Sequence, residues 1–202
     1  SQDDSKDEST AKGSLDVSDI VEEAMPSIVS ITTKSVEEVQ NYYGMFGQYG
    51  AYSPEQREVQ GSGSGIIIGK NDSELLIATN NHVVSGAESL TVCFNDNKDA
   101  VFDAKIKGTD PNNDLAVIAI QLSDISEDVL NSISIATLGD STQMEVGDQV
   151  VAIGNALGFG QSVTTGIISA VDREVTIDDT TATLLQTDAA INPGNSGGAL
   201  FN

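Results

Sequence analysis

The chain has 202 residues, with 31 Asp and Glu against 9 Lys and Arg, so its formal net charge is −22. That length suits one large domain or two small ones sharing a core, and the charge repels phosphate backbones and anionic headgroups, which argues against a nucleic-acid or membrane-surface role. Aromatics make up 4% of residues and Trp is absent, so packing must rest on Ile, Val, Leu and Ala. The single Cys93 excludes an internal disulfide framework and every multi-cysteine metal site, and the single His82 excludes sites that need two imidazoles. No run approaches the ~18 apolar residues of a membrane span.

Residues 1–15 carry no apolar periodicity and read as a disordered acidic tail. A short helix follows (DIVEEAM), capped by Ser18 or Asp19 and stopped at Pro26. Short runs rich in Ile and Val and broken by Gly, Asn and Asp come next. They are Ile28–Thr33, Gly63–Gly69, Glu74–Thr79, Ser89–Asn95, Val101–Thr109 and Leu115–Leu122. Six such runs predict a closed antiparallel barrel over residues 16–122. Residues 35–60 read as a long loop holding Tyr42, Tyr43, Phe46, Tyr49 and Tyr52, which suits either a docking surface or a self-packed loop. Gly61-Ser62-Gly63-Ser64-Gly65 lacks the Lys and helix of a phosphate loop and reads as a flexible turn. Cys93 reads as a buried small hydrophobe.

A linker over 123–148, with a helical turn at Ser123–Ser132, leads to a second group of strands. These are Gln149–Gly154, Ser162–Val171, Glu174–Ile177, Thr183–Thr187 and a start at Ala199–Phe201. Residues 149–202 thus read as a second barrel that is incomplete. The fold class is all-β.

Asn192-Pro193-Gly194-Asn195-Ser196-Gly197-Gly198 is the most informative segment. Glycines on both sides of one serine let the backbone turn sharply and aim successive N–H groups at one spot, as an oxyanion hole requires. The letters also match the nucleophile elbow of α/β-hydrolases, but those enzymes place acid and histidine after the serine. Here the lone His82 precedes Ser196, so an imidazole base can only be His82. A buried carboxylate must then hold its tautomer, and Asp114, at the mouth of an apolar strand, is the best candidate. The order His82, Asp114, Ser196 is that of chymotrypsin-type proteases.

The segments Thr79–Val84 (TNNHVV), Thr109–Ile118 (TDPNNDLAVI), Leu138–Gly158, Thr165–Ala170 (TGIISA) and Gln186–Leu200 (QTDAAINPGNSGGAL), in this order, resemble the HtrA (Deg) family of trypsin-like serine proteases. The resemblance implies a double six-stranded β-barrel, here with its second barrel truncated and without the PDZ domains that usually follow. It implies Ser196 as nucleophile, His82 as general base and Asp114 as its orienter. The N–H groups of Gly194 and Ser196, with Asn195 between them, would form the oxyanion hole, and Ile191 and Asn192 would help line the substrate pocket. No metal or cofactor is implied. Unfolded proteins or peptides are the implied substrates, and a homotrimer and an extracytoplasmic location, with the tail as a tether from a membrane anchor, are implied with them. Asn195 stands where digestive relatives carry an aspartate that pairs with a new N-terminus, so control by loop ordering is expected instead. The competing class is a non-catalytic peptide-binding or chaperone-like module on the same fold, or an inactive fragment.

Overall fold

The computed structural model describes residues 17–39, 55–95, 97–156, 160–177, 180–192 and 194–202. The tail and the aromatic cluster at Tyr42–Tyr52 lie outside the described residues. A helix α1 (Ser18–Ala24) runs into a 3-10 turn (Met25–Ser27) that takes Pro26 in its first positions. Val17, rather than Ser18 or Asp19, occupies the cap position, with no side-chain hydrogen bond there.

Six strands follow: β1 (Ile28–Val39), β2 (Glu55–Lys70), β3 (Glu74–Thr79), β4 (Ser89–Phe94), β5 (Val101–Asp110) and β6 (Leu115–Gln121). They close into an antiparallel barrel in the order β1-β2-β3-β6-β5-β4. Alternation drives the closure. In β3 every second residue is buried, putting Leu75, Ile77 and Thr79 inside. Val29, Ile31, Val92, Phe94, Ile118 and Ile120 meet them in one continuous core.

The long loop expected at 35–60 is shorter than its sequence suggests. β1 continues to Val39 and pairs with a β2 that starts at Glu55, in unbroken register from Ile28–Ile66 to Val39–Glu55. Backbone pairing carries these polar segments as a ribbon, with a Lys34–Glu58 ion pair across it. The GSGSG run is likewise not a turn but the middle of β2. Its alternate glycines share one pleat face, where a Cβ would lie 2.6 Å from the Thr33 hydroxyl at Gly61 and 2.7 Å from Val83 or Ile77 at Gly63 and Gly65. Close approach by neighbours therefore explains the glycines.

A one-turn helix α2 (Asn81–Val84) lies between β3 and β4, and the connection to the second half contains a 3-10 turn (Leu122–Asp124), a helix α3 (Glu127–Ser132) and a further 3-10 turn (Ser141–Gln143). Ile133 packs back on the barrel core. Strands β7 (Gln149–Ala156), β8 (Gly160–Ile177), β9 (Thr180–Thr187) and β10 (Ala199–Phe201) then form a four-stranded sheet in the order β10-β7-β8-β9. Two strands expected separately are one: β8 pairs with β7 up to Ile167 and with β9 from Ile168 onward, crossing irregular register at Ala170 and Arg173. A second apolar cluster of Ala24, Ile28, Val151 and Ile153, with Val21 and Phe201 against it, joins α1, the barrel and this sheet. Cys93 is buried, and its thiol donates to the Asn97 carbonyl at 3.3 Å. Among the described residues, no helix is long and apolar enough to cross a membrane.

Candidate active site

His82 sits on α2, directly after β3 delivers the chain to the barrel mouth. A helix this short leaves its first N–H groups without internal partners, and Asp114 takes them. The Asn81 N–H donates to the Asp114 carbonyl at 3.0 Å, and the His82 N–H donates to Asp114 Oδ1 at 2.8 Å. Asp114 Oδ2 lies 2.6 Å from His82 Nδ1. A carboxylate only accepts, so Nδ1 donates in this contact, and in the neutral imidazole Nε2 is then the nitrogen with the free lone pair.

Asp114 closes the turn between β5 and β6 with φ at +51°, a left-handed conformation that aspartate tolerates better than most residues. Asp110 builds that turn by accepting from the Asn113 side chain at 2.6 Å and from the Asn112 N–H at 3.1 Å. These bonds, the Asn113 side chain's first, hold the Asp110 carboxyl below its ordinary range. The expectation of a buried Asp114 does not hold. Its side chain is 45% exposed and that of His82 is 56% exposed, because both stand at the rim where β6 begins and α2 meets solvent.

The segment around Ser196 docks onto the barrel. The Asn195 N–H donates to the Asn192 carbonyl at 3.0 Å, and Gly194 takes φ +105°, a backbone conformation that favours glycine. The Ser64 N–H donates to the Ser196 carbonyl at 2.8 Å, and the Ser64 hydroxyl donates to the Gly194 carbonyl at 2.6 Å. That hydroxyl also accepts from the Asn155 N–H at 2.6 Å, and the Asn155 carbonyl accepts from the Ser30 hydroxyl. The bonds run from β1 through β7 and β2 to the serine loop. Gly197 takes φ +81°, and a Cβ there would lie 2.1 Å from the Ser64 carbonyl oxygen. Only glycine fits.

Asn195 is buried, with its amide nitrogen 3.4 Å from the Ala190 carbonyl. Ile191 and Asn192 are both exposed. Ser64, Asn80 and Asn155 carry no catalytic signature of their own in the sequence. Asn80 lies inside the TNNHVV segment, two residues before His82, and that adjacency is its one signal in the sequence. Ser64 and Asn155 had none, since their roles depend on strands meeting across the molecule. Among the described residues, no three His, Cys, Asp or Glu side chains are grouped to hold a metal ion.

The trypsin-like peptidase domain model matches residues 63–202, more than half of the chain. The serine protease Do-like HtrA of Bacillus subtilis is 41% identical over 198 residues, covering 95% of this chain and 41% of that protein. A probable periplasmic serine endoprotease, DegP-like, of Pseudomonas putida is 36% identical over 208 residues, covering 93% of this chain and 41% of its own length. Among solved structures, the HtrA-type protease AlgW with a decapeptide superposes with a TM-score of 0.68 at 36% identity, covering 92% of this chain and 55% of that one. The chain thus spans about two-fifths of the length of these curated relatives.

Proposed function

This chain belongs to the HtrA (Deg) family of trypsin-like serine proteases, and from that premise we propose that it is a serine endopeptidase whose chemistry is carried by Ser196, His82 and Asp114. The observation that carries this reading is the 2.6 Å contact between His82 Nδ1 and Asp114 Oδ2, which leaves Nε2 as an acceptor. Ser196 Oγ attacks the scissile carbonyl as its proton passes to His82 Nε2. The carbonyl π bond breaks toward oxygen, and the N–H groups of Gly194 and Ser196 receive the charge. His82 then gives its proton to the leaving amine, the C–N bond breaks and an acyl-enzyme remains. Water, deprotonated by the same imidazole, releases the acyl group and restores Ser196. Asp114 stays ionised throughout and holds the imidazole. Ile191 and Asn192, exposed beside the serine loop, line the place of the side chain before the scissile bond.

Peptide segments of unfolded proteins are the substrates we propose, supported by the decapeptide carried by AlgW in its solved structure. An extracytoplasmic location is supported by the relative named as periplasmic. A homotrimer, and a membrane tether through the acidic tail, are proposed from the family likeness alone.

A fluorophosphonate probe tests the chemical step without a known substrate. The unaltered chain should be labelled at Ser196. Ser196→Ala should take no label, and His82→Ala should lose turnover on an unfolded protein by about 10⁶ in kcat, as members of a comparable triad do. A His82→Ala chain that keeps most of its activity overturns the assignment.

A further inference from the structure

Asn80 bonds to the backbone of both other triad segments from a position two residues before His82. Its Nδ2 donates to the Asp114 carbonyl at 2.8 Å, and its Oδ1 accepts from the Gly197 N–H at 2.7 Å across 117 residues of chain. Asparagine is a favoured helix cap, and Asn80 occupies the cap position of α2 with an extended backbone. Yet it makes no side-chain cap bond to its own helix. Its amide is committed elsewhere, and Asp114 serves the α2 N–H groups in its place.

We propose that Asn80 is a positioning residue that sets the Ser196–Gly197 peptide in register with His82 and Asp114. This rests on the triad reading above. The peptide joining Ser196 to Gly197 is a rigid plane, and it is held at both ends. Its carbonyl accepts from the Ser64 N–H at 2.8 Å, and its N–H donates to Asn80 Oδ1 at 2.7 Å. Holding that plane sets where Ser196 Cα, and with it Oγ, stands relative to the imidazole. The other end of the same amide holds the carbonyl of the residue that orients the imidazole. Asp114 φ is already in the left-handed region, so a fixed carbonyl there resists relaxation of the turn.

The chemistry needs an amide. One short side chain must donate and accept at once, in opposite directions. Aspartate keeps the acceptor for Gly197 but loses the donor and sets a carboxylate against the Asp114 carbonyl. Alanine loses both bonds. Misplacement of a reacting group by about 1 Å costs on the order of 10²-fold in rate, so the expected loss lies in the rate of reaction rather than in binding.

The test is fluorophosphonate labelling of the whole chain and of Asn80→Ala, Asn80→Asp, His82→Ala and Ser196→Ala. Labelling is followed against probe concentration, with the amplitude giving the competent fraction. The proposal expects a limiting rate per competent site about 10²-fold lower in Asn80→Ala, with half-saturation within roughly threefold of the parent. Asn80→Asp should fall between the two. A merely structural role would lower the amplitude or the thermal midpoint and leave the rate per competent site alone, and that result overturns the proposal. If Asn80→Ala yields no folded protein, an Asn80→Asp chain reacting at the parental rate overturns it equally. Failure of the unaltered chain to label, or full labelling rate in His82→Ala, instead sinks the triad reading on which the proposal stands.

Discussion

The Ser64 hydroxyl donates to the Gly194 carbonyl at 2.6 Å, joining residues 130 apart in the chain. Ser64 is itself fully buried, and its oxygen also takes the Asn155 N–H, so one hydroxyl stands between the two halves of the molecule beside the serine loop. Replacing Ser64 by Ala strands both partners. A buried unsatisfied group costs about 1–3 kcal/mol, which for a chain of this size lowers the thermal midpoint by roughly 2–4 °C for each kcal/mol. Thermal scans should show that drop, and labelling of Ser196 should slow because Gly194 has lost its anchor. An unchanged midpoint and labelling rate would refute the role given to this hydroxyl.

Asp114→Asn separates fold from chemistry. The new amide oxygen can still accept from the His82 N–H, so the turn survives. The amide nitrogen, however, donates toward Nδ1 and favours the wrong tautomer, a change that costs about 10⁴ in kcat in triads of this type. Turnover of an unfolded substrate should fall by that order while the thermal midpoint moves little. A loss of less than tenfold would show that the carboxylate does not hold the proton on Nδ1.

Two glycines with similar backbone angles should respond differently to alanine. Gly197, at φ +81°, leaves no room for a Cβ; Gly86, at φ +72°, has no atom within 4 Å of one. Gly86→Ala should therefore lower stability only by backbone strain, about 1–3 kcal/mol. Gly197→Ala adds a collision with the Ser64 carbonyl and should also abolish labelling of Ser196. Denaturant melts with probe labelling of both variants check this. Equal effects at the two sites would mean that packing around Gly197 is looser than the close approach implies.

Glu74 offers a test of acid stability. Its carboxylate accepts from Lys107 on β5 and Gln121 on β6, each at 3.0 Å. The Lys107 bond is the main reason its carboxyl is held below the ordinary value of 4.5. A carboxyl lowered in the folded state stabilises above its unfolded value, and that stabilisation is lost as pH falls through the lowered one. The midpoint difference between the parent chain and Glu74→Gln should be greatest above pH 4.5 and shrink on acidification. A difference that stays constant with pH would place its origin in packing rather than in the charge.

Much of the fold was legible because local signals repeat. Alternation marks β3 with its observed ends, and the run of apolar residues from Ala116 to Ile120 marks β6. The order His82, Asp114, Ser196 and the glycines around the serine point to acyl transfer without reference to any distance. The ends of β1 and β2 were not legible, because polar residues such as Lys34 and Glu58 are held there by pairing across the ribbon rather than by burial. The same holds for Gly61–Gly65, whose composition suggests a turn until neighbouring side chains are seen to press on its glycine face.

Residue chemistry and short-range periodicity, both properties of a chain read in order, determined the all-β class and the place of most strands. Register and exposure did not follow from them. That Asp114 lies at an exposed rim, that Asn80 caps nothing in its own helix, and that Ser64 faces Gly194 were decided only when the barrel closed and the second sheet packed on it. Hydrogen bonds between residues 32, 117 and 130 positions apart leave no periodic trace in a sequence, since each depends on where two separately folded strands or turns come to rest.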